Sequence, residues 1–106
     1  MVVRWTPNAS EGLAAIWEYY KLENIRAAVR IIRDIRAATL SLVNFPEMAP
    51  LDPFLIRFSA DYRSLVVRRN YKVVYKIDGN YIYIMEIFDC RQNPIKLQDR
   101  IVKNRR

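Results

Sequence analysis

The 106-residue sequence contains no histidine and a single cysteine, Cys90. One thiol excludes an internal disulfide. Without histidine the usual zinc-ligand sets cannot be assembled, so no metal or other cofactor is expected. The same gap removes the ordinary general base near neutral pH, and with it Ser–His and Cys–His nucleophile schemes. Two glycines and five prolines are too few for a low-complexity or disordered chain. No apolar run is long enough to span a bilayer, nothing repeats at a solenoid period, and the opening "MVVRWTPNAS" lacks the apolar stretch of a signal peptide. The expectation is a soluble, cytoplasmic protein without a membrane partner. It should form one domain over residues 1–97, followed by a basic tail at 98–106; the stretch Ile95–Arg106, with a short apolar rhythm of Ile95, Leu97, Ile101 and Val102, is expected to form a frayed helix or stay mobile.

What the chain does have is positive charge, and it is unevenly placed. The formal net charge is +7, and residues 1–56 carry six basic and six acidic side chains. Residues 57–106, with twelve basic and five acidic side chains, hold the entire excess. A one-sided basic field implies an anionic partner, either nucleic acid or an acidic protein segment.

Hydrophobic periodicity supplies the elements. Val2 to Trp5 reads as a short strand. Thr6-Pro7 places a capping hydroxyl before a proline whose missing N–H is harmless at the first helical position. Ala9, Leu13, Ile16, Trp17 and Tyr20 then predict a helix over Pro7–Lys21. Asn24 caps a second helix with a seam of Ile25, Ala28, Ile32, Ile35, Thr39 and Leu42, ended by Pro46. "FPEMAPLDP" is a proline-punctuated loop leading to a strand near Phe54–Phe58, then a firmer one at Tyr62–Val67. Tyr71–Ile77 and Tyr81–Phe88 alternate around Asp78-Gly79, a strong hairpin signal because glycine adopts positive φ cheaply. The order predicts an α+β domain, β-α-α-β-β-β, with a helical hairpin on one face of a mainly antiparallel sheet.

Strand parity divides the side chains. Tyr71, Val73, Tyr75 and Ile77 should lie under the helices, and Lys72, Val74 and Lys76 should face outward on an open sheet surface. Arg63 is expected to join Lys72 there, Arg68 and Arg69 sit at the bend between strands, and hairpin pairing should carry Arg91 toward Lys72 and Arg63. Taken singly, these cations read as solvating charge that protects a sheet edge. The Arg26, Arg30 and Arg33 stripe reads as a solvated helix face, and Cys90 as an inert thiol. Together the sheet cations form a candidate binding surface.

The segments "VRWTPNASEGLAAIWEYY", "LVNFPEM" and "YRSLVVRRNYKVVYKIDGNYIYIMEIFDCRQNP" resemble, in order and spacing, the RelE/ParE superfamily of toxins from type II toxin–antitoxin modules. The resemblance runs from about Val2 to Leu97 and is carried by the ensemble, since no single motif is as specific as a zinc-finger spacing. It implies a plasmid-stabilisation or stress-response toxin neutralised by a cognate antitoxin that folds around it. RelE-like members cleave mRNA on the ribosome, and Arg63, Lys72 and Arg91 fall on positions matching their basic residues. Leu65 departs from that pattern, and no tyrosine or histidine follows Arg91. ParE-like members instead inhibit DNA gyrase and need only a binding surface. The Trp-Thr-Pro start and "YKVVYKIDG" look more like this branch, which is preferred. Antitoxin or target contacts are expected among Arg63, Arg68, Arg69, Lys72, Lys76 and Arg91. A small basic nucleic-acid-binding domain and a toxin that retains only antitoxin binding are the further readings.

Overall fold

The computed structural model describes residues 1–103. Seven elements follow one another: β1 (Val2–Trp5), α1 (Pro7–Tyr20), α2 (Ile25–Ser41), β2 (Arg63–Val67), β3 (Tyr71–Asp78), β4 (Tyr81–Asp89) and α3 (Ile95–Lys103). The four strands form one sheet in the order β1-β4-β3-β2. β1 runs parallel to β4, from Val2 opposite Tyr81 to Trp5 opposite Ile84. The other two pairings are antiparallel. This is the expected α+β architecture with the helical hairpin over one sheet face.

Local chemistry explains the helix starts. The Thr6 hydroxyl accepts from the Ala9 amide at 3.2 Å and also reaches the Ile84 carbonyl at 3.0 Å, so one residue caps α1 and ties it to β4. The Asn24 carboxamide oxygen accepts from the Ala27 amide at 3.1 Å. The buried seam of α2 is Ala28, Ile31, Ile35 and Thr39, continued by Leu42. This differs from the predicted seam: Ile31 takes the central place, Ile32 moves to the core edge, and Ile25 is exposed. Both Ile31 and Ile32 fit a helical period, and the crossing of α2 over the sheet decides between them.

Tyr71, Val73 and Tyr75 lie under the helices as parity predicts, together with Ile82, Ile84 and Ile87. Between Val74 and Tyr75 the register with β4 shifts, so that Val74 faces Glu86 while Tyr75 faces Ile84. The bulge leaves Met85 as the extra residue on β4. Gly79 turns the hairpin with φ of 58°.

The sheet face expected to be open is covered. Leu55, Tyr62, Val74, Met85, Phe88, Leu97 and Ile101 form a second hydrophobic core on it. Two segments supply the cover. Residues 45–62 make no strand at Phe54–Phe58 but turn back repeatedly as a strap, joined to β2 by an isolated bridge from Leu51 to Arg63. α3 is the second cover: rather than fraying, it straddles residue 97, and Leu97 and Ile101 are fully buried. Asn104, Arg105 and Arg106, the end of the expected basic tail, lie outside the described residues. No helix among the described residues is long and apolar enough to cross a membrane.

Candidate functional site

The sheet cations do not converge. Arg63 pairs across the ladder with Tyr75, whereas Val66 pairs with Lys72. Strand parity therefore puts Arg63 on the α1/α2 face and Lys72 on the opposite one, which corrects their expected grouping. The Arg63 guanidinium donates to the Ala49 carbonyl at 2.7 Å and anchors the start of the strap. Lys76 stays on the outer face, its ammonium 5.8 Å from the centre of the Tyr83 ring.

Lys72 is a structural counter-ion. Its Nζ lies 2.6 Å from Oδ2 of Asp52, a carboxylate with no exposed side-chain surface. The same oxygen accepts from the Ser64 hydroxyl at 2.5 Å, and Oδ1 accepts from the Phe54 amide at 2.8 Å. The Phe54 and Phe88 rings both lie beside the ammonium, at 5.5 and 5.7 Å from ring centre to Nζ. Burial alone would push the Asp52 carboxyl up, but the bonds from Lys72, Ser64 and Phe54 outweigh it and hold the pKa below the usual value. The sequence shows no sign of this arrangement, because Asp52 sits between two prolines in what reads as a solvated loop.

Arg91 is likewise occupied. Its Nε donates to Oδ1 of Asp89 and its Nη2 to Oδ2, both at 2.9 Å. Nη2 also reaches the Tyr71 hydroxyl at 3.3 Å. Burial, reinforced by the neighbouring Tyr20 hydroxyl, pushes the Tyr71 phenol well above its ordinary value. Tyr71 therefore stays protonated at neutral pH and offers no base.

Arg68 and Arg69 form the β2–β3 turn, and both have positive φ, 52° and 67°. A side chain in this left-handed region costs roughly 1 kcal/mol or more per residue, which glycine would avoid. Arg68 is held by Asp34 of α2 at 2.8 Å, and that guanidinium is the main reason the Asp34 carboxyl lies below its usual value. Among the described residues, no ion pair or hydrogen bond holds the side chain of Arg69.

Three concavities surround these groups. A cleft of about 630 Å³ separates α1 from α3 above the end of β4, lined in part by Tyr19, Tyr71, Glu86, Arg91 and Arg100. Glu86 is buried, and its carboxylate accepts from Arg100 of α3 at 2.7 Å. Burial pushes its pKa up, and the Arg100 bond only partly opposes this. The cleft depends on Gly12: a Cβ there would stand 2.9 Å from the Ile87 carbonyl oxygen, so only glycine lets α1 approach β4 this closely. A second space of about 580 Å³ lies beneath the β2–β3 turn, between Tyr20, Ala27, Ile31, Arg68, Arg69 and Tyr71.

The third, of about 560 Å³, is a groove on the outer side of the helical hairpin. Trp17, Val29, Ile32, Ala37 and Leu40 line it, with Arg33 and Arg36 at its rim. Val29 and Leu40 are 52% and 66% exposed. An apolar groove left in solvent is a candidate for partner contact. Sequence reasoning noticed the arginines of α2 as a solvated stripe and missed the apolar lane beside them. Val29 and Leu40 fall outside the core seam, which was the available signal. Among the described residues no three His, Cys, Asp or Glu side chains converge as a metal site requires.

Comparison with known proteins agrees with this geometry. Residues 3–94 match the family described as the ParE toxin of type II toxin–antitoxin systems, parDE. No curated protein matches. Among solved structures, a chain of the chromosomal ParDE toxin–antitoxin system from P. aeruginosa superposes with a TM-score of 0.69 at 23% identity, covering 84% of this chain and 95% of that one. At that identity the likeness speaks for the fold.

Proposed function

The chain belongs to the ParE toxin family of type II toxin–antitoxin systems, and from that premise we propose that it poisons its target by binding, as an inhibitor of DNA gyrase, and cuts no RNA. One observation carries this reading: the three cations that mRNA cleavage would require are separated and individually neutralised or bonded. Lys72 serves Asp52 on the sheet face opposite the helical hairpin, Arg91 serves Asp89 and Arg63 serves the Ala49 carbonyl. Charge stabilisation of a scissile phosphate needs preorganised donors aimed at one point. The chain has no histidine, and burial pushes the Tyr71 phenol beside Arg91 further up, so neither supplies a proton acceptor there.

The exposed cations Arg68 and Arg69, with Lys76, remain candidates for contact with the target. The outer groove of α1 and α2 suits the antitoxin. Its apolar floor and the rim arginines Arg33 and Arg36 complement an amphipathic helix with an acidic face.

Purified toxin in a gyrase supercoiling reaction, alongside induction in cells, tests the reading. Expected are blocked supercoiling, relieved by antitoxin, and arrested DNA replication while mRNA stays intact. Rapid mRNA cleavage on the ribosome with supercoiling untouched would reject it in favour of the interferase alternative.

A further inference from the structure

We propose that the β2–β3 turn is a phosphodiester-binding site for duplex DNA, in which the guanidinium groups of Arg68 and Arg69 grip backbone phosphates at the mouth of the Tyr20–Tyr71 space. Three observations lead there. Two consecutive arginines occupy left-handed backbone, at a turn where glycine would be relaxed. Such strain is retained where the surroundings or a ligand demand the side chain. The local acids do not neutralise the site: Asp34 engages Arg68 through one nitrogen, both oxygens of Asp89 are taken by Arg91, and Arg69 has no partner among the described residues. Arg68 is thereby aimed by Asp34 while its remaining N–H groups stay available, and a guanidinium fork matches a phosphate bidentately.

The aromatic surroundings select duplex over single strand. Single-stranded nucleic acid is held by bases stacked on exposed rings. Tyr71 is 5% exposed, Arg91 lies 5.7 Å from the centre of its ring, and Tyr20 is packed edge-on against Tyr19 at 4.8 Å. The Tyr71 ring therefore offers no open face for a base to stack on, which leaves the backbone as the group recognised, at the regular spacing a duplex provides. Neither the family assignment nor gyrase inhibition enters this argument. DNA binding is measured with toxin alone, so its failure and the failure of the gyrase reading are separable.

The test is fluorescence anisotropy of a short labelled duplex titrated with the purified chain at several salt concentrations. Arg68→Gln/Arg69→Gln should weaken binding about tenfold or more and reduce the salt slope by about one for each phosphate no longer gripped. Arg26→Gln/Arg30→Gln removes the same charge from the exposed face of α2 and should weaken it by less than about twofold. Arg68→Lys/Arg69→Lys preserves charge and carries the same backbone strain, so melting should be unchanged while binding falls about fivefold through loss of the fork. Equal effects of the two glutamine pairs would show an unlocalised basic field and overturn the site. Wild-type binding by the lysine pair would overturn fork recognition. Tighter binding of single-stranded RNA, or displacement of DNA by polyglutamate at equal charge, would overturn the choice of duplex DNA.

Discussion

Replacing Lys72 by methionine separates a structural lysine from a catalytic one. Methionine keeps the length that packs beside Phe54 and Phe88 but leaves Asp52, a carboxylate with no exposed side-chain surface, without its counter-charge. Two neutral donors remain, the Ser64 hydroxyl and the Phe54 amide. Breaking a buried pair from one side costs about 3–5 kcal/mol. A domain of this size has roughly 5–15 kcal/mol of stability in all. The loss should therefore lower the melting temperature by roughly 12 °C or more. The pH dependence is diagnostic. In the parent protein the Asp52 pKa is lowered, so its contribution is present above the unfolded carboxylate range and is lost as pH falls through the lowered folded value. In Lys72→Met the Asp52 carboxyl keeps only the Ser64 and Phe54 bonds against burial, so its folded pKa lies above the parent's and its contribution is lost at a higher pH as the solution is acidified. The gap between the two proteins should be widest near pH 7 and close toward pH 3. Asp52→Asn combined with Lys72→Met should recover most of the loss, because an amide needs no counter-charge. Urea unfolding followed through Trp5 and Trp17 fluorescence reads all three. A loss under about 1 kcal/mol at pH 7, or one that does not change with pH, would refute the reasoning.

Gly12→Ala gains about 1 kcal/mol of helix propensity but drives its Cβ into the Ile87 carbonyl, 2.9 Å away; because backbone cannot swing aside, a net fall in melting temperature is expected, and a rise would sink the close-approach argument. Arg91→Ala removes a half-exposed ion pair worth under about 1 kcal/mol and should leave a folded protein that still arrests replication; a folded but harmless variant would return Arg91 to the active machinery. Glu86→Gln keeps an acceptor for Arg100 while removing a carboxyl whose pKa burial has raised. A raised carboxyl gives stability that is full below the unfolded pKa and lost as pH rises through the folded one, so the variant should gain on the parent as pH rises above the ordinary carboxylate range. Parallel unfolding curves of parent and variant over that rise would contradict it.

Elements defined by local chemistry could be read directly. The caps at Thr6 and Asn24, the Asp78-Gly79 turn and the alternation of β3 each depend on neighbours a few residues away. What was not legible depended on long-range choice. Ile31 and Ile32 are equally helical, and only the crossing of α2 over the sheet decides which is buried. The parity of β2 was ambiguous because Leu65, Val66 and Val67 are all apolar, and that ambiguity put Arg63 on the wrong face. Asp52 looked solvated until the strap folded it against Ser64 and Lys72. The apolar rhythm of Ile95, Leu97, Ile101 and Val102 allowed a frayed helix at α3, but nothing local announced that Leu97 and Ile101 would dock on the sheet. Their burial makes sense only once the second core is seen. The candidate site was misjudged for the same reason: cations counted in sequence were taken as free, while their carboxylate partners lay elsewhere in the chain.

The parallel pairing of β1 with β4 has a consequence for how the toxin comes into being. Val2 meets Tyr81 and Trp5 meets Ile84, so β1 waits for a strand made much later. Until β4 has left the ribosome, α1 has no strand to cap against and Gly12 no carbonyl to approach. Folding that hinges on such distant contacts is slow. A growing chain therefore cannot complete this sheet until β4 has emerged, and the surface built on the sheet forms only then.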